Sequence, residues 1–244
     1  MDNLYDTHFH LDLQKSRSDT LSEIERNKIY TVAVTNLPPL YEKLKKEVDS
    51  KFVRIALGFH PELIGQYQKY IPDMWRLLPN VKYIGEVGVD LKTGKDSKSQ
   101  QISFFEELIN RCNIFGNKVL SVHSRMAAPE VVSVIGEKFS GKIILHWYSG
   151  SNQTVSKAIE NGYYFSVNSA MLNSNSGRKV IENIPNSRIL IETDSPFISV
   201  DGLVNSQLTH IQKIITQLSI LKKTEHNELQ DMLWNNFLSV ISIY

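Results

Sequence analysis

The sequence is short of several things. Its one cysteine, Cys112, rules out an internal disulfide. That scarcity accords with a reducing compartment, and the cytoplasm is the expected location. No apolar run approaches the roughly 20 residues needed to cross a bilayer, which argues against a membrane protein. The opening residues, MDNLYDTHFH, contain no basic segment followed by an apolar one, so no secretory signal is expected. Neither sign of charge is in surplus: 27 basic and 26 acidic side chains leave a net charge of +1. This argues against a protein that grips nucleic acid through a broad basic face, although bound cations can supply positive charge locally. A glycine-rich turn after the first strand, the phosphate signature of an open doubly wound sheet, is also absent. Gly85-Glu86-Val87-Gly88 does not replace it, because no helical pattern follows directly.

What is present is a recurring alternation of short apolar runs and longer amphipathic segments. Strands are expected near Leu4–His10, Tyr30–Thr35, Phe52–Gly58, Lys82–Glu86, Val119–His123, Lys142–His146, Tyr163–Val167 and Ile189–Asp194. Most are rich in Val, Ile and aromatics without strict alternation, the pattern of strands buried on both faces. Helices are expected between them, for example at Thr20–Asn27, Leu40–Val48, Gln101–Phe115, Ala127–Phe139 and Thr154–Asn161. Leu208–Tyr244 has no strand pattern and reads as two further helices. Eight β-then-α units predict a (β/α)8 TIM barrel of class α/β with extra C-terminal helices. With no linker, low-complexity tract or repeat, residues 1–244 are expected to form one domain.

The chemistry is carried by where the histidines fall. Five of the seven, His8, His10, His60, His123 and His146, sit at or just beyond the C-terminal ends of expected strands. Asp6, Glu86, Asp90 and Asp194 are expected at the same level. In a barrel these positions converge on one mouth, where active sites are built. Residues two apart on a strand point to the same face, so His8 and His10 can reach one cation. Glu86, His123, His146 and Asp194 are the candidates for the remaining ligands. Six nitrogen and oxygen ligands exceed what one tetrahedral zinc takes and suit two cations about 4 Å apart bridged by a carboxylate.

Six segments in order resemble the successive motifs of the TatD-type metal-dependent deoxyribonucleases, within the amidohydrolase-like hydrolases. They are Asp6-Thr7-His8-Phe9-His10-Leu11-Asp12, Gly58-Phe59-His60-Pro61, Gly85-Glu86-Val87-Gly88-Val89-Asp90, Val122-His123-Ser124-Arg125, Leu145-His146-Trp147-Tyr148-Ser149-Gly150 and Glu192-Thr193-Asp194-Ser195-Pro196. The resemblance implies a barrel with a divalent metal centre that hydrolyses DNA phosphodiesters, often as an exonuclease. Single strands or 3′ ends are then more fitting partners than intact duplex. It implies His8, His10 and Asp194 on one ion, His123 and His146 on the other, and Glu86 between them. Zn, Mg and Mn all accept such ligands, so the ion's identity stays open. The chain departs from the pattern in a short Leu13–Val34 stretch, in the brief Phe197–Gly202 loop without arginine, and in a reduced ending at Trp234-Asn235-Asn236-Phe237. These departures bear on substrate choice more than on the metals. Compact relatives of this kind occur in bacterial anti-phage gene clusters, so a defence role and protein partners there are further expectations.

Around the expected metals, Asp194 is the expected proton acceptor, and Asp90 the carboxylate that orients a histidine ligand. His60 and Glu62 are expected to touch substrate or, for His60, to protonate a leaving oxygen. Arg125 is expected to fork onto phosphate, and Trp147 and Tyr148 to stack on a base. Glu62, His60 and the two aromatics are also readable as turn or packing residues. Lys92, Lys95 and Lys98 are readable as a solvated loop or a guide for an incoming strand, and Cys112 as core. An acyl or amide hydrolase, such as an aminoacyl-tRNA deacylase, would use the same metal chemistry, and a subunit role in a larger assembly is the third alternative.

Overall fold

Each of the eight expected apolar runs forms a strand, and every strand pairs in parallel within one of two sheets. The computed structural model describes residues 4–198 and 206–241. The end of the Phe197–Gly202 loop, from residue 199, and the final residues 242–244 of the expected helical tail lie outside them. The strands are β1 (Tyr5–Phe9), β2 (Tyr30–Ala33), β3 (Val53–Ile55), β4 (Tyr83–Gly88), β5 (Val119–His123), β6 (Lys142–His146), β7 (Tyr164–Val167) and β8 (Ile189–Ile191). The longer helices are α1 (Arg17–Asn27), α2 (Pro38–Glu47), α3 (Ile71–Leu77), α4 (Lys98–Phe115), α5 (Ala128–Ile135), α6 (Asn152–Glu160), α7 (Ser169–Asn173), α8 (Asn175–Asn183), α9 (Gln207–Lys222) and α10 (His226–Val240). The expected helix to Phe139 ends early, because Gly136 at φ +70 terminates α5. Ser174 separates α7 from α8 and accepts the Gly177 N–H as an N-cap at 3.0 Å. Among the described residues no helix is long and apolar enough to cross a membrane.

The strands form two arcs, β1-β2-β3 and β4 to β8 in order. At one seam Leu57 N–H donates to Tyr83 O and Gly85 N–H to Leu57 O, both at 2.9 Å. Just beyond, Thr35 N–H donates to Gly85 O and Glu86 N–H to Thr35 O, both at 3.0 Å. At the other seam Asp194 N–H donates to His8 O and His10 N–H to Ser195 O, each at 3.0 Å. The buried Asp6 carboxylate ties this second seam to α9, accepting from Thr193 Oγ1 at 2.6 Å and Gln207 Nε2 at 3.0 Å. Asp6 therefore does not reach the mouth with the other acids. Burial lifts its carboxyl to about 7, partly offset by those hydrogen bonds. The seams thus fix the level of Glu86, His8 and Asp194 relative to one another.

Helix α9 also carries His210, which lies away from the histidines at the strand ends. It is buried, with Nε2 2.8 Å from Ser169 Oγ on α7. Burial, with a smaller push from Lys213, lowers it to about 4. The unfolded chain binds this proton near pH 6.5, while the folded chain resists it until about pH 4, so acid favours unfolding. His210 is therefore expected to cost up to about 3 kcal/mol of stability as pH falls from about 6.5 to 4, with no effect above that window. Denaturant midpoints should fall more steeply across this range in the parent than in His210→Gln. Equal slopes in both would refute the assignment.

Candidate metal centre

Strand geometry brings the histidines together. His8, on β1, and His10, just past its end, have ring centres 5.2 Å apart. Their Nε2 atoms lie 3.6 and 3.5 Å from Glu86 Oε2, and 3.8 and 3.4 Å from Asp194 Oδ1. The other oxygen of Glu86, Oε1, faces a different set. It lies 2.6 Å from His123 Nδ1, 2.9 Å from His146 Nε2 and 3.4 Å from His60 Nε2. One carboxylate on β4 thus separates two clusters, each oxygen serving one. Asp194 follows β8 with φ +49, a left-handed conformation that redirects the chain at the site.

The donor set fits metal ions. His8 Nε2 and both ring nitrogens of His10 are buried without a hydrogen-bond partner. Polar atoms so buried are normally satisfied, and imidazole nitrogens facing carboxylates are ordinary ligands for divalent ions. Three triads have ligand atoms within 4.8 Å of one another: His8, Glu86, His146; His8, His10, Asp194; and His60, Glu86, His123.

Electrostatics follow from this crowding. Burial pushes the Glu86 carboxyl up, but His60 and His146, with hydrogen bonds from His123 and His146, hold it well below the usual carboxylate range. Burial and the charge of His146 lower His8 to about 4; the two rings stack 3.9 Å apart. Burial works against charge on His146 and His123, yet Glu86 and Glu192 raise the first, and Asp90 and Glu86 the second. Asp90 Oδ2 lies 2.8 Å from His123 Nε2, the nitrogen turned away from Glu86, which is the expected orienting position. Burial opposes ionisation of Asp90, but that hydrogen bond helps bring it down to about 2. Its main chain is held in turn by buried Gln101, which accepts from Asp90 N–H at 2.7 Å and donates to Asp90 O at 3.1 Å.

Above the ligands opens a cavity of about 630 Å³, lined in part by Glu62, Arg125, Trp147 and Phe197. His60 belongs with the metal-capable groups by its Nε2 as well as with the cavity wall. Glu62 and Arg125 are exposed and line the cavity. Trp147 is 38% exposed, but Tyr148 corrects the expectation made for it. It is buried under the rim, its hydroxyl donating to Ser151 O at 3.2 Å and its ring against Phe165, so it offers no face to a base. The reversal arises at Trp147, whose φ of +38 breaks the strand alternation and sends the next side chain inward. Lys98 pairs with Glu130 at 2.9 Å, and Lys92 and Lys95 do not line the cavity. Cys112 is buried core.

Sequence reading passed over three contributors. Ser121 Oγ lies 2.7 Å from His8 Nδ1; its signal was the two-residue spacing from His123 on β5. Phe197 packs edge-on to His10, ring centres 5.0 Å apart at 88°. Glu192 is fully buried beside His146, two residues before Asp194.

The family model described as TatD related DNase matches residues 5–242. The chain is 25% identical to the uncharacterised metal-dependent hydrolase YabD of Bacillus subtilis, covering 96% of each. It is 26% identical to the human deoxyribonuclease TATDN3, covering 97% of this chain and 94% of that one. The crystal structure of YJJV, a TatD homologue from Escherichia coli K12, superposes with a TM-score of 0.84 over 98% of both chains, at 19% identity, and shares the fold.

Proposed function

The chain belongs to the TatD related DNase family, a family of metal-dependent hydrolases, and from that premise we propose that it hydrolyses phosphodiester bonds in DNA at a two-cation centre. The observation that carries this reading is the divided Glu86 carboxylate, with His8 and His10 on Oε2 and His60, His123 and His146 on Oε1. In this reading His8, His10 and Asp194 hold one ion, His123 and His146 with His60 hold the other, and Glu86 is shared. Zn, Mn or Mg, when bound, supplies a water acidic enough to attack at neutral pH and screens the phosphate charge.

The protein's own groups do the rest. Asp194 has a second oxygen beyond the Oδ1 facing the histidines and takes up the proton. Arg125 presents a planar fork at the cavity wall, suited to the non-bridging oxygens of a phosphate. Trp147 and Phe197 offer aromatic faces for an unstacked base, which favours a single strand or a frayed end over intact duplex. Glu62, at the rim, is suited to accept a sugar hydroxyl and disfavours a second phosphate there. A chain with net charge +1 concentrates its positive charge where the ions sit instead of spreading it over a face. Exonucleolytic action and an antiviral setting are finer proposals that rest on the resemblance alone.

The test is incubation with labelled single- and double-stranded DNA, RNA and an acylated tRNA, with Mg²⁺, Mn²⁺ or Zn²⁺ and then a chelator. DNA loss is expected in the parent and stops on chelation. Asp194→Asn is expected to slow it about 10²–10⁴-fold, the usual worth of a positioned acid–base group. Deacylation alone would replace this reading with an acyl hydrolase. Inactivity on every substrate would favour the subunit role.

A further inference from the structure

Glu192 is fully buried, and the structure assigns it as a positioning residue that joins the metal-capable His146 to the substrate-facing Trp147. The inference rests on the metal-centre reading above. Its carboxylate is fully engaged. Oε1 accepts from Trp147 N–H at 3.0 Å and from Asn168 Nδ2 at 2.9 Å. Oε2 accepts from Ser166 Oγ. Oε1 also lies 3.6 Å from His146 Nδ1, a buried nitrogen with no hydrogen-bond partner, on the side of the ring away from Glu86.

Two consequences follow. The carboxylate beside Nδ1 favours a proton on that nitrogen, which leaves Nε2, 2.9 Å from Glu86 Oε1, as the ring nitrogen that would face an ion. The bond to the Trp147 main chain supports an indole residue at φ +38, a conformation a bulky side chain rarely adopts. This backbone turn leaves Trp147 38% exposed at the cavity and places Tyr148 in the core. The same carboxylate therefore sets the direction of a ligand nitrogen and the pose of the aromatic wall. A group retained only for packing would need neither its charge nor its Oε1 acceptor.

Two substitutions separate these tasks. Glu192→Gln keeps an acceptor for Trp147 and Asn168 but removes the charge. Glu192→Leu removes both. The first readout is a Mn²⁺ titration followed by the EPR signal of free Mn²⁺. The second is the ¹⁹F line of Trp147 in protein carrying 5-fluorotryptophan at its three tryptophans, assigned with Trp147→Phe. Glu192→Gln is expected to weaken Mn²⁺ binding about 10–100-fold and leave the Trp147 line in place. Glu192→Leu is expected to weaken binding at least as much and also to shift and narrow that line. Ser166→Ala, which retains the charge and frees Oε2, is expected to weaken Mn²⁺ binding by a smaller factor, and it carries the test if the leucine variant does not fold. Parental Mn²⁺ affinity in Glu192→Gln, or an unmoved Trp147 line in a folded Glu192→Leu, overturns the assignment. A parent that binds no Mn²⁺ overturns it together with the metal-centre reading. A parent that binds Mn²⁺ without cutting DNA overturns only the substrate, and the variants still decide the role of Glu192.

Discussion

Glu86→Gln is expected to reduce DNA hydrolysis by at least about 10³-fold and to abolish stabilisation by divalent cations. The amide has nearly the shape of the carboxylate, so the cost arises from charge and valence. A carboxylate offers two acceptor oxygens, an amide one and a donor group. In this chain both oxygens are committed, Oε2 to His8 and His10, Oε1 to His60, His123 and His146. An amide therefore presents N–H groups to one cluster and removes the negative charge from both. Bound cations contribute several kcal/mol of transition-state stabilisation, and each 1.36 kcal/mol is a factor of ten in rate. Without cations the fold is expected to tolerate the change, because His123 and His146, raised chiefly against burial by their carboxylates, can release their protons when one carboxylate is lost. The contrast is measured by thermal scans with and without Mn²⁺. The parent is expected to gain about 2.7 kcal/mol at one hundred times its Kd, and the variant nothing. A variant that keeps both the gain and the activity would show that Glu86 does not bridge.

Gly58→Ala is expected to be the most destabilising single-methyl change near the site. A Cβ there would stand 1.5 Å from Thr35 O and 2.6 Å from both Glu86 N and Gly85 O. All three are main-chain atoms at the seam between the arcs, so no side chain can swing aside. Overpacking a core usually costs about 1–3 kcal/mol and occasionally more; a clash with three backbone atoms belongs at or above the top of that range. For a chain of this size each kcal/mol moves the midpoint by roughly 2–4 °C, so a loss on the order of 10 °C is expected. Because Thr35 O accepts the Glu86 N–H, any backbone shift that relieves the clash moves Glu86, and surviving protein should bind cations more weakly. A parental melting temperature for Gly58→Ala would refute the close approach.

The strands were legible because burial on both faces leaves a local mark. Lys142–His146 and Ile189–Asp194 show apolar runs that end in a ligand-type residue, and both runs form strands. Helices α7 and α8 lacked such a mark, since their division depends on one serine cap. The ligand-type residues were legible for a related reason: a histidine closing an apolar run is an anomaly that needs no partner to be noticed. Partners far along the chain were not legible. Asp6 had the right type and spacing for the mouth, but Gln207, 201 positions away, draws it to the seam. Tyr148 and Trp147 looked interchangeable, and a single left-handed residue separates the wall of the cavity from its support.

Covalent geometry and patterning by themselves determined where the eight strands of the described residues lie and, at His123, His146 and Val167, where three of them end, because apolar burial is a local property carried by adjacent residues. Only the three-dimensional arrangement of those strands decided which oxygen of Glu86 meets which imidazole, that His60 joins the metal-capable groups, and that Glu192 stands behind His146. Those relations depend on the stagger set by two hydrogen-bonded seams between residues far apart along the chain, and no local preference encodes that stagger.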